Sequence, residues 1–134
     1  MLKIVIALVL IAHGIGHSMG PIGMFKVATV NPAWHGDSWM LSGLGGQSLT
    51  QVAGTVLWTL ALLGFVAVGA VVLGWLPGSW WAPLAVGSSL LSIAGLLLFP
   101  IAFPVFSIIG ALAVDVAVLA AVLWYGWVPS DLAA

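Results

Sequence analysis

Two histidines and one aspartate are the residues of this chain best suited to chemistry. His13 and His17 lie four residues apart, which places both on one face of a helix. Asp115 stands alone in a long apolar run, where a carboxylate must be neutral, paired or in contact with water. A carboxylate beside an imidazole can shuttle a proton, orient a carbonyl group or serve as acid and base. We therefore expect His13 and Asp115 to form a catalytic pair.

Further polar residues recur at helical spacing in the later apolar segments. Gln51, Thr55 and Thr59 follow one another every four residues, and Ser92 belongs to a serine stripe. Polar groups in hydrocarbon usually face the interior of a helix bundle, so these stripes are expected to converge on one pocket. Alternatively, the hydroxyl groups only bond their own helix backbone. The residues expected to bind a ligand there are His17, Gln51, Thr55, Thr59 and Ser92.

The histidines leave two further alternatives open. With a carboxylate, His13 and His17 can bind a divalent metal, completed by His35 and Asp37 from the loop. One of them, paired with His35, can also hold a haem iron from opposite sides. No full ligand set is present in the sequence, so we expect no metal site, and the cofactor is left unassigned. The absence of cysteine excludes thiolate, Fe–S and Cys-type zinc chemistry.

The composition indicates an integral membrane protein. Of 134 residues, 63% are hydrophobic and 4% are charged, the charged ones being two lysines and three aspartates. A water-soluble surface needs roughly a quarter to a third charged residues. This excludes a soluble enzyme and a disordered chain. Nucleic-acid binding is excluded as well, because two lysines cannot form the basic surface it requires.

Four apolar segments are long enough to cross a bilayer, which takes about 20 residues. They cover residues 2–19, 51–74, 80–99 and 105–127. Gly20-Pro21 is expected to end the first, and Gly64, Gly69 and Gly74 are expected to form one edge that packs on another helix. The prediction is an all-α integral membrane four-helix bundle, a single transmembrane domain with a long, partly ordered first loop.

That first loop, residues 20–50, is expected to act as a lid. We expect at least one short helix between residues 24 and 40 lying across the bundle, with Trp34 and Trp39 buried or at the membrane interface. Residues 42–47 are expected to form a flexible hinge. Most intramembrane polar groups lie in the leaflet under this loop, which predicts a cavity open toward the loop, with Asp115 as floor and His13 on the wall.

Aromatic and charged residues near the span ends indicate how the bundle lies in the membrane. The tryptophans and tyrosine at residues 75–81 and 124–127 predict an aromatic belt on one side. Lys3 favours a cytoplasmic N-terminus, and with four spans the C-terminus lies on the same side. We therefore expect a multi-pass protein of the cell membrane with both termini cytoplasmic.

The first helix, residues 2–17, reads LKIVIALVLIAHGIGH and resembles the opening of DoxX-like small membrane proteins. In that family an apolar helix ends in His-Gly, here His13-Gly14, before a variable loop and three further spans. The chain differs from the family in having His17 where a lysine is frequent and no glutamate in the second span. The resemblance implies a companion subunit of a membrane redox system that binds a quinone-like ligand.

The function expected from these features is binding of a hydrophobic, quinone-like molecule in a polar intramembrane pocket. The expected partners are the lipid bilayer, that small molecule, and a larger membrane subunit or further copies of the chain. One alternative is a membrane enzyme, an isomerase or oxidoreductase, that uses the histidine and aspartate as acid and base. Another is a purely structural subunit of a respiratory or photosynthetic complex.

Overall fold

The computed structural model describes residues 1–132, and all their regular elements are helical, with no strand among them. Four helical segments are long and apolar enough to cross a membrane, which confirms the predicted fold class. A short 3₁₀ turn follows α3, a short π-helical turn follows α5, and a second 3₁₀ turn follows the last span. The five α-helices are α1 (Leu2–Gly16), α2 (Met19–Met24), α3 (Leu41–Leu73), α4 (Trp81–Leu98) and α5 (Val105–Leu119).

The first span consists of α1 and α2 in succession. α1 ends at Gly16, and His17 and Ser18 form a turn before α2 begins at Met19. Pro21 lies in the first turn of α2, where a missing backbone N–H costs no helical hydrogen bond. The expectation that Gly20-Pro21 ends the helix is therefore wrong, and the first candidate span is Leu2–Met24.

The second span begins at Leu41, ten residues before the expected start at residue 51. Residues 42–47, where a flexible hinge was expected, lie within this helical segment. The helix is nevertheless broken at Gly46, whose φ of 69° and ψ of −165° suit only glycine. The Thr50 hydroxyl donates to the Gly46 carbonyl at 2.9 Å, four residues back along the chain. The segment is thus a kinked helix.

α3 is the central helix of the bundle, in contact with both α1 and α4, while α5 packs mainly on α4. Gly64 lies against Ser88 of α4, and Gly69 lies against Ile11 of α1, so both glycines permit close helix packing. They face two different helices, so the expectation of one shared edge is wrong. Gly74 ends α3 with a left-handed φ of 81°.

α1 and α5 complete the ring of four spans but touch each other little. α1 packs on α3 instead, because Gly14 and Gly69 have no side chains and let the two backbones approach closely. The bundle therefore has an open seam between α1 and α5.

The first loop is ordered over residues 25–40 and packs on the end of the bundle. The buried Trp34 ring meets the Trp58 ring edge-to-face, with centroids 5.7 Å apart. The Ser38 hydroxyl donates to the Leu98 carbonyl at 2.7 Å. These contacts place the loop across the bundle end, as expected of a lid.

The details of the lid differ from the expectation. Its short helix is α2, which reaches the expected range only at Met24, and residues 25–40 form turns and bends. Trp39 is 70% exposed and is not buried as Trp34 is, although its indole N–H donates to the Leu97 carbonyl at 2.8 Å. The loop is thus held by hydrogen bonds to backbone carbonyls at the end of α4, and no helix forms within residues 25–40.

Replacing Asn31 with alanine is expected to release this loop. The Asn31 amide donates to the carbonyls of Ile101 and Phe103 at 2.8 and 3.3 Å. Losing them should destabilise the loop by about 1 kcal/mol. Hydrogen–deuterium exchange of residues 32–40 should then be several-fold faster, whereas Ser48→Ala on the outer face of α3 should leave it unchanged. Equal exchange in both variants would contradict this role of Asn31.

Most aromatic residues of the predicted belt are exposed, and the belt itself stays a prediction. Trp81 is an exception, because it is buried and its indole N–H donates to the Trp127 carbonyl at 2.8 Å. This contact joins the ends of the third and fourth spans. The exposed members of the belt are Trp75, Trp80, Trp124 and Tyr125.

Candidate functional site

A polar layer lies between two apolar clusters of the bundle. The cluster near the chain termini is built around Phe65 and Val72, and the cluster near the first loop is built around Trp58 and Phe99. Three helices each contribute a polar side chain between these levels. These side chains are His13 of α1, Ser92 of α4 and Asp115 of α5.

Asp115 is wholly buried and is bonded through both carboxyl oxygens. Its Oδ1 lies 3.0 Å from Nε2 of His13, and its Oδ2 accepts a hydrogen bond from the Ser92 hydroxyl at 2.6 Å. The expectation that Asp115 faces the bundle interior, within reach of polar groups on other helices, is confirmed. With Asp115 ionised, the carboxylate only accepts and the ring proton of His13 lies on Nε2; with Asp115 protonated, Nε2 accepts instead.

Phe65 of α3 fixes the positions of both histidine rings. The His13 ring stands edge-to-face on Phe65 at 4.4 Å and on His17 at 4.9 Å, and the His17 ring is stacked on Phe65 at 6.1 Å. Phe65 itself is fully buried. Sequence analysis missed this residue, since one phenylalanine in an apolar run carries no signal of such a role.

A cleft of about 440 Å³ lies in the seam between α1 and α5. Its lining includes no residue of the first loop, and its lining residue Phe106 is 88% exposed, so the cleft opens at the side of the bundle and not toward the first loop as expected. Asp115 lies behind His13 and does not form a floor. The cleft is lined by Val9, Ala12, His13, Gly16, His17, Leu96, Phe103, Phe106, Ser107, Gly110, Ala111 and Val114.

Three imidazole nitrogens beside the cleft are left without protein partners. Within residues 1–132, neither ring nitrogen of His17 makes a hydrogen bond, and only Nε2 of the His13 ring is bonded. Nε2 of His17 is enclosed, and a buried polar atom without a partner costs about 1–3 kcal/mol. The ring atoms left for a carbonyl or hydroxyl group in the cleft are therefore the Nδ1 atoms of His13 and His17. His17 lines the cleft, and its role in ligand binding stays a prediction.

The polar stripe of α3 does not reach this cleft. Thr59 is exposed, and Gln51 and Thr55 line a separate outer hollow beside Phe25. The expectation that these three residues bind a ligand beside His13 is wrong. The inward face of α3 carries large aromatic side chains instead, Trp58 among them, because they fill the space between helices. Ser92 points inward, but it contacts Asp115 and does not line the cleft.

The described residues do not assemble a metal or haem site. Residues 1–132 contain no group of three or more His, Asp or Glu side chains that could hold a metal ion. His35, the third histidine, lines a separate hollow in the loop with Lys26 and Asn31. It therefore does not complete a ligand set with His13 or His17.

Comparison of the chain with protein-family models, curated proteins and solved structures finds no match. The function proposed below therefore rests on the geometry of the cleft.

Proposed function

We propose that the protein binds a lipid-soluble, quinone-like carbonyl compound in the cleft between α1 and α5. The observation that carries this proposal is the position of His13. Its ring forms part of the cleft wall, and its Nε2 is bonded at 3.0 Å to the buried carboxyl of Asp115. The His13 ring thus lies between a cleft large enough for a small molecule and the buried carboxyl group of Asp115.

The chemistry of the imidazole suits a quinone carbonyl. With Nε2 bonded to Asp115, Nδ1 is the ring atom available to a ligand. A doubly protonated ring donates from Nδ1 to a carbonyl oxygen, and a neutral ring accepts there from a hydroxyl group. The Ser92 hydroxyl fixes the second oxygen of Asp115 and so keeps the carboxyl oriented toward His13. The pair can therefore bind both the oxidised and the reduced ligand.

The shape of the cleft supports a ligand that arrives from the bilayer. Its volume lies within the roughly 300–1,000 Å³ typical of small-molecule sites. Apart from the two histidines and Ser107, its walls are apolar side chains and glycine. The sideways opening lets a hydrophobic molecule enter without leaving the membrane.

We propose further that the protein serves as companion to a larger redox subunit, in the cell membrane. The cleft residues supply hydrogen bonds and a proton, and electrons would come from the partner. The DoxX-like resemblance around His13-Gly14 favours this role. The turn Pro129–Leu132 contacts α1, and Trp127 lines one hollow with Val5 and Ile6, so the start of α1 and this turn lie on one side of the bundle. We propose the cytoplasmic side for them on account of Lys3.

Histidine-selective NMR tests the ligand site, because the chain has only three histidines. The protein is prepared with isotope-labelled imidazole nitrogens in phosphatidylcholine nanodiscs and titrated with decylubiquinone. We expect the signals of His13 and His17 to shift saturably. The signal of His35 should not move, since this residue lies in the loop hollow.

Decylbenzene is the matched ligand control, because it has the alkyl chain without carbonyl groups. It should leave the nitrogen signals of His13 and His17 in place. If decylubiquinone moves no histidine signal, or moves His35 as much as the other two, the proposed function is wrong.

A further inference from the structure

A second hollow continues the cleft along the same seam. It measures about 320 Å³ and shares Val9 and Val114 with the cleft. From Ser107 in the cleft to Ala121 in the second hollow, the seam runs about 21 Å at the helical rise of about 1.5 Å per residue. We call the second hollow the tail groove; its other main lining residues are Val5, Ile6, Leu10, Trp81, Ala117 and Val118.

The cleft and the tail groove differ in chemistry. The cleft has two imidazoles with unbonded nitrogens, whereas the tail groove is lined almost wholly by aliphatic side chains and two tryptophans. The indole N–H of Trp81 is already bonded to the Trp127 carbonyl at 2.8 Å. The seam is therefore polar at one end and apolar along the rest of its length.

We infer that the seam binds a single-chain amphiphile, with its polar ring at His13 and His17 and its hydrocarbon tail along the tail groove toward Trp81. This inference rests on the proposed function and narrows the ligand class to compounds with a long unbranched or prenyl chain. The residues that contact the tail are then Val5 and Ile6 of α1 and Ala117 of α5.

A helix of a second copy is a poorer occupant of the seam. A helix docked on the seam inserts only the side chains of one face, and an apolar face leaves the unbonded nitrogens of His13 and His17 without partners. The two hollows measure about 440 and 320 Å³. One hydrocarbon chain matches that space, and the polar end at His13 selects a chain that carries a polar ring.

The expected contribution of the tail is modest. A hydrocarbon chain in the bilayer is already in apolar surroundings, so moving it into the groove gains packing contacts rather than hydrophobic free energy. We therefore expect the tail to raise the affinity, expressed as mole fraction in the bilayer, by about tenfold.

The test compares two ligands on variants that fill the tail groove. The ligands are decylubiquinone and the same benzoquinone without its decyl chain, and the readout is the shift of the His13 and His17 nitrogen signals. Ala117→Phe and Ala121→Phe each place a ring in the groove, about 3 and 9 Å along the helix from Asp115 at a rise of about 1.5 Å per residue. At least one should lower decylubiquinone affinity about tenfold, with binding of the short quinone unchanged. Ala82→Phe, exposed on α4, should affect neither ligand.

The outcomes separate this inference from the proposed function. Wild-type affinity for decylubiquinone in both groove variants, or equal affinity of the wild type for both quinones, would overturn the tail groove while leaving the cleft as a site for the ring. The tail groove would also be overturned if the groove variants lost affinity for both quinones equally. The same holds if the affinity for decylubiquinone falls when two copies of the protein share a nanodisc. If neither quinone shifts His13 or His17 in the wild type, the proposed function fails, and the tail groove with it.

Discussion

Replacing Asp115 with leucine is expected to lower the free energy of unfolding by about 2 kcal/mol or more and to abolish quinone binding. The change removes the two oxygens that bond Nε2 of His13 and the hydroxyl of Ser92. Each buried group left unpaired costs about 1–3 kcal/mol. Unfolding of the variant in mixed micelles, followed by tryptophan fluorescence, measures the first effect, and histidine NMR measures the second.

Asp115→Asn is the matched control, because it keeps the shape and removes the charge. The asparagine carbonyl can accept from Ser92, and its NH₂ group can donate to His13, provided that the ring proton moves to Nδ1. We expect stability within about 1 kcal/mol of the wild type, a reversed His13 tautomer in the nitrogen spectrum, and affinity about tenfold lower for decylubiquinol, the reduced ligand. The affinity should fall because Nδ1 then carries the ring proton and cannot accept from the quinol hydroxyl, whereas it can still donate to the carbonyl of decylubiquinone.

The two substitutions also separate binding from architecture. If Asp115→Asn binds decylubiquinol as the wild type does, the carboxylate serves only to join the helices, as in a structural subunit. If Asp115→Leu is as stable as the wild type, His13 and Ser92 find other partners, and the polar layer does not hold the bundle together.

The four spans could be predicted because the bilayer dictates their length and composition. Their ends could not, since these depend on single backbone positions. The sequence predicts a helix end at Pro21, yet a proline in a first turn loses no hydrogen bond. The glycines and serine of residues 42–47 predict a hinge, whereas the structure breaks the helix at Gly46 alone. Hydropathy does not distinguish a kinked helix from a loop followed by a helix.

The pairing of His13 with Asp115 followed from the cost of a lone carboxylate in hydrocarbon, an argument that needs no geometry. The Thr55 and Thr59 prediction failed because four-residue spacing defines a face without saying where that face points. Trp58 and Phe65 settle the orientation of α3, since their rings fill the interior. The side on which the cleft opens depends on which two neighbouring helices do not pack against each other. The spacing of polar residues along one helix does not predict this.

The seam depends on how closely α1 approaches α3, and Gly14 sets that distance. A Cβ at Gly14 would lie 2.9 Å from the Leu62 carbonyl oxygen and 2.9 Å from Cβ of Phe65. These atoms belong to the α3 backbone or lie next to it, so they cannot move without parting the two helices. Gly16, two residues further on, has nothing within 4 Å of such a Cβ. The pair therefore allows a matched comparison on one helix.

Gly14→Ala is expected to lower the free energy of unfolding by about 1–3 kcal/mol through overpacking. Gly16→Ala should raise it by up to about 1 kcal/mol, because alanine favours the helix over glycine. Since the Phe65 ring contacts both histidines, Gly14→Ala should also move the His13 nitrogen signals in the absence of ligand. If both alanine variants raise the free energy of unfolding equally and the His13 nitrogen signals stay in place, α1 can move away from α3 without loss of stability. The opening between α1 and α5 would then have to be set by the contacts of α5 with α4.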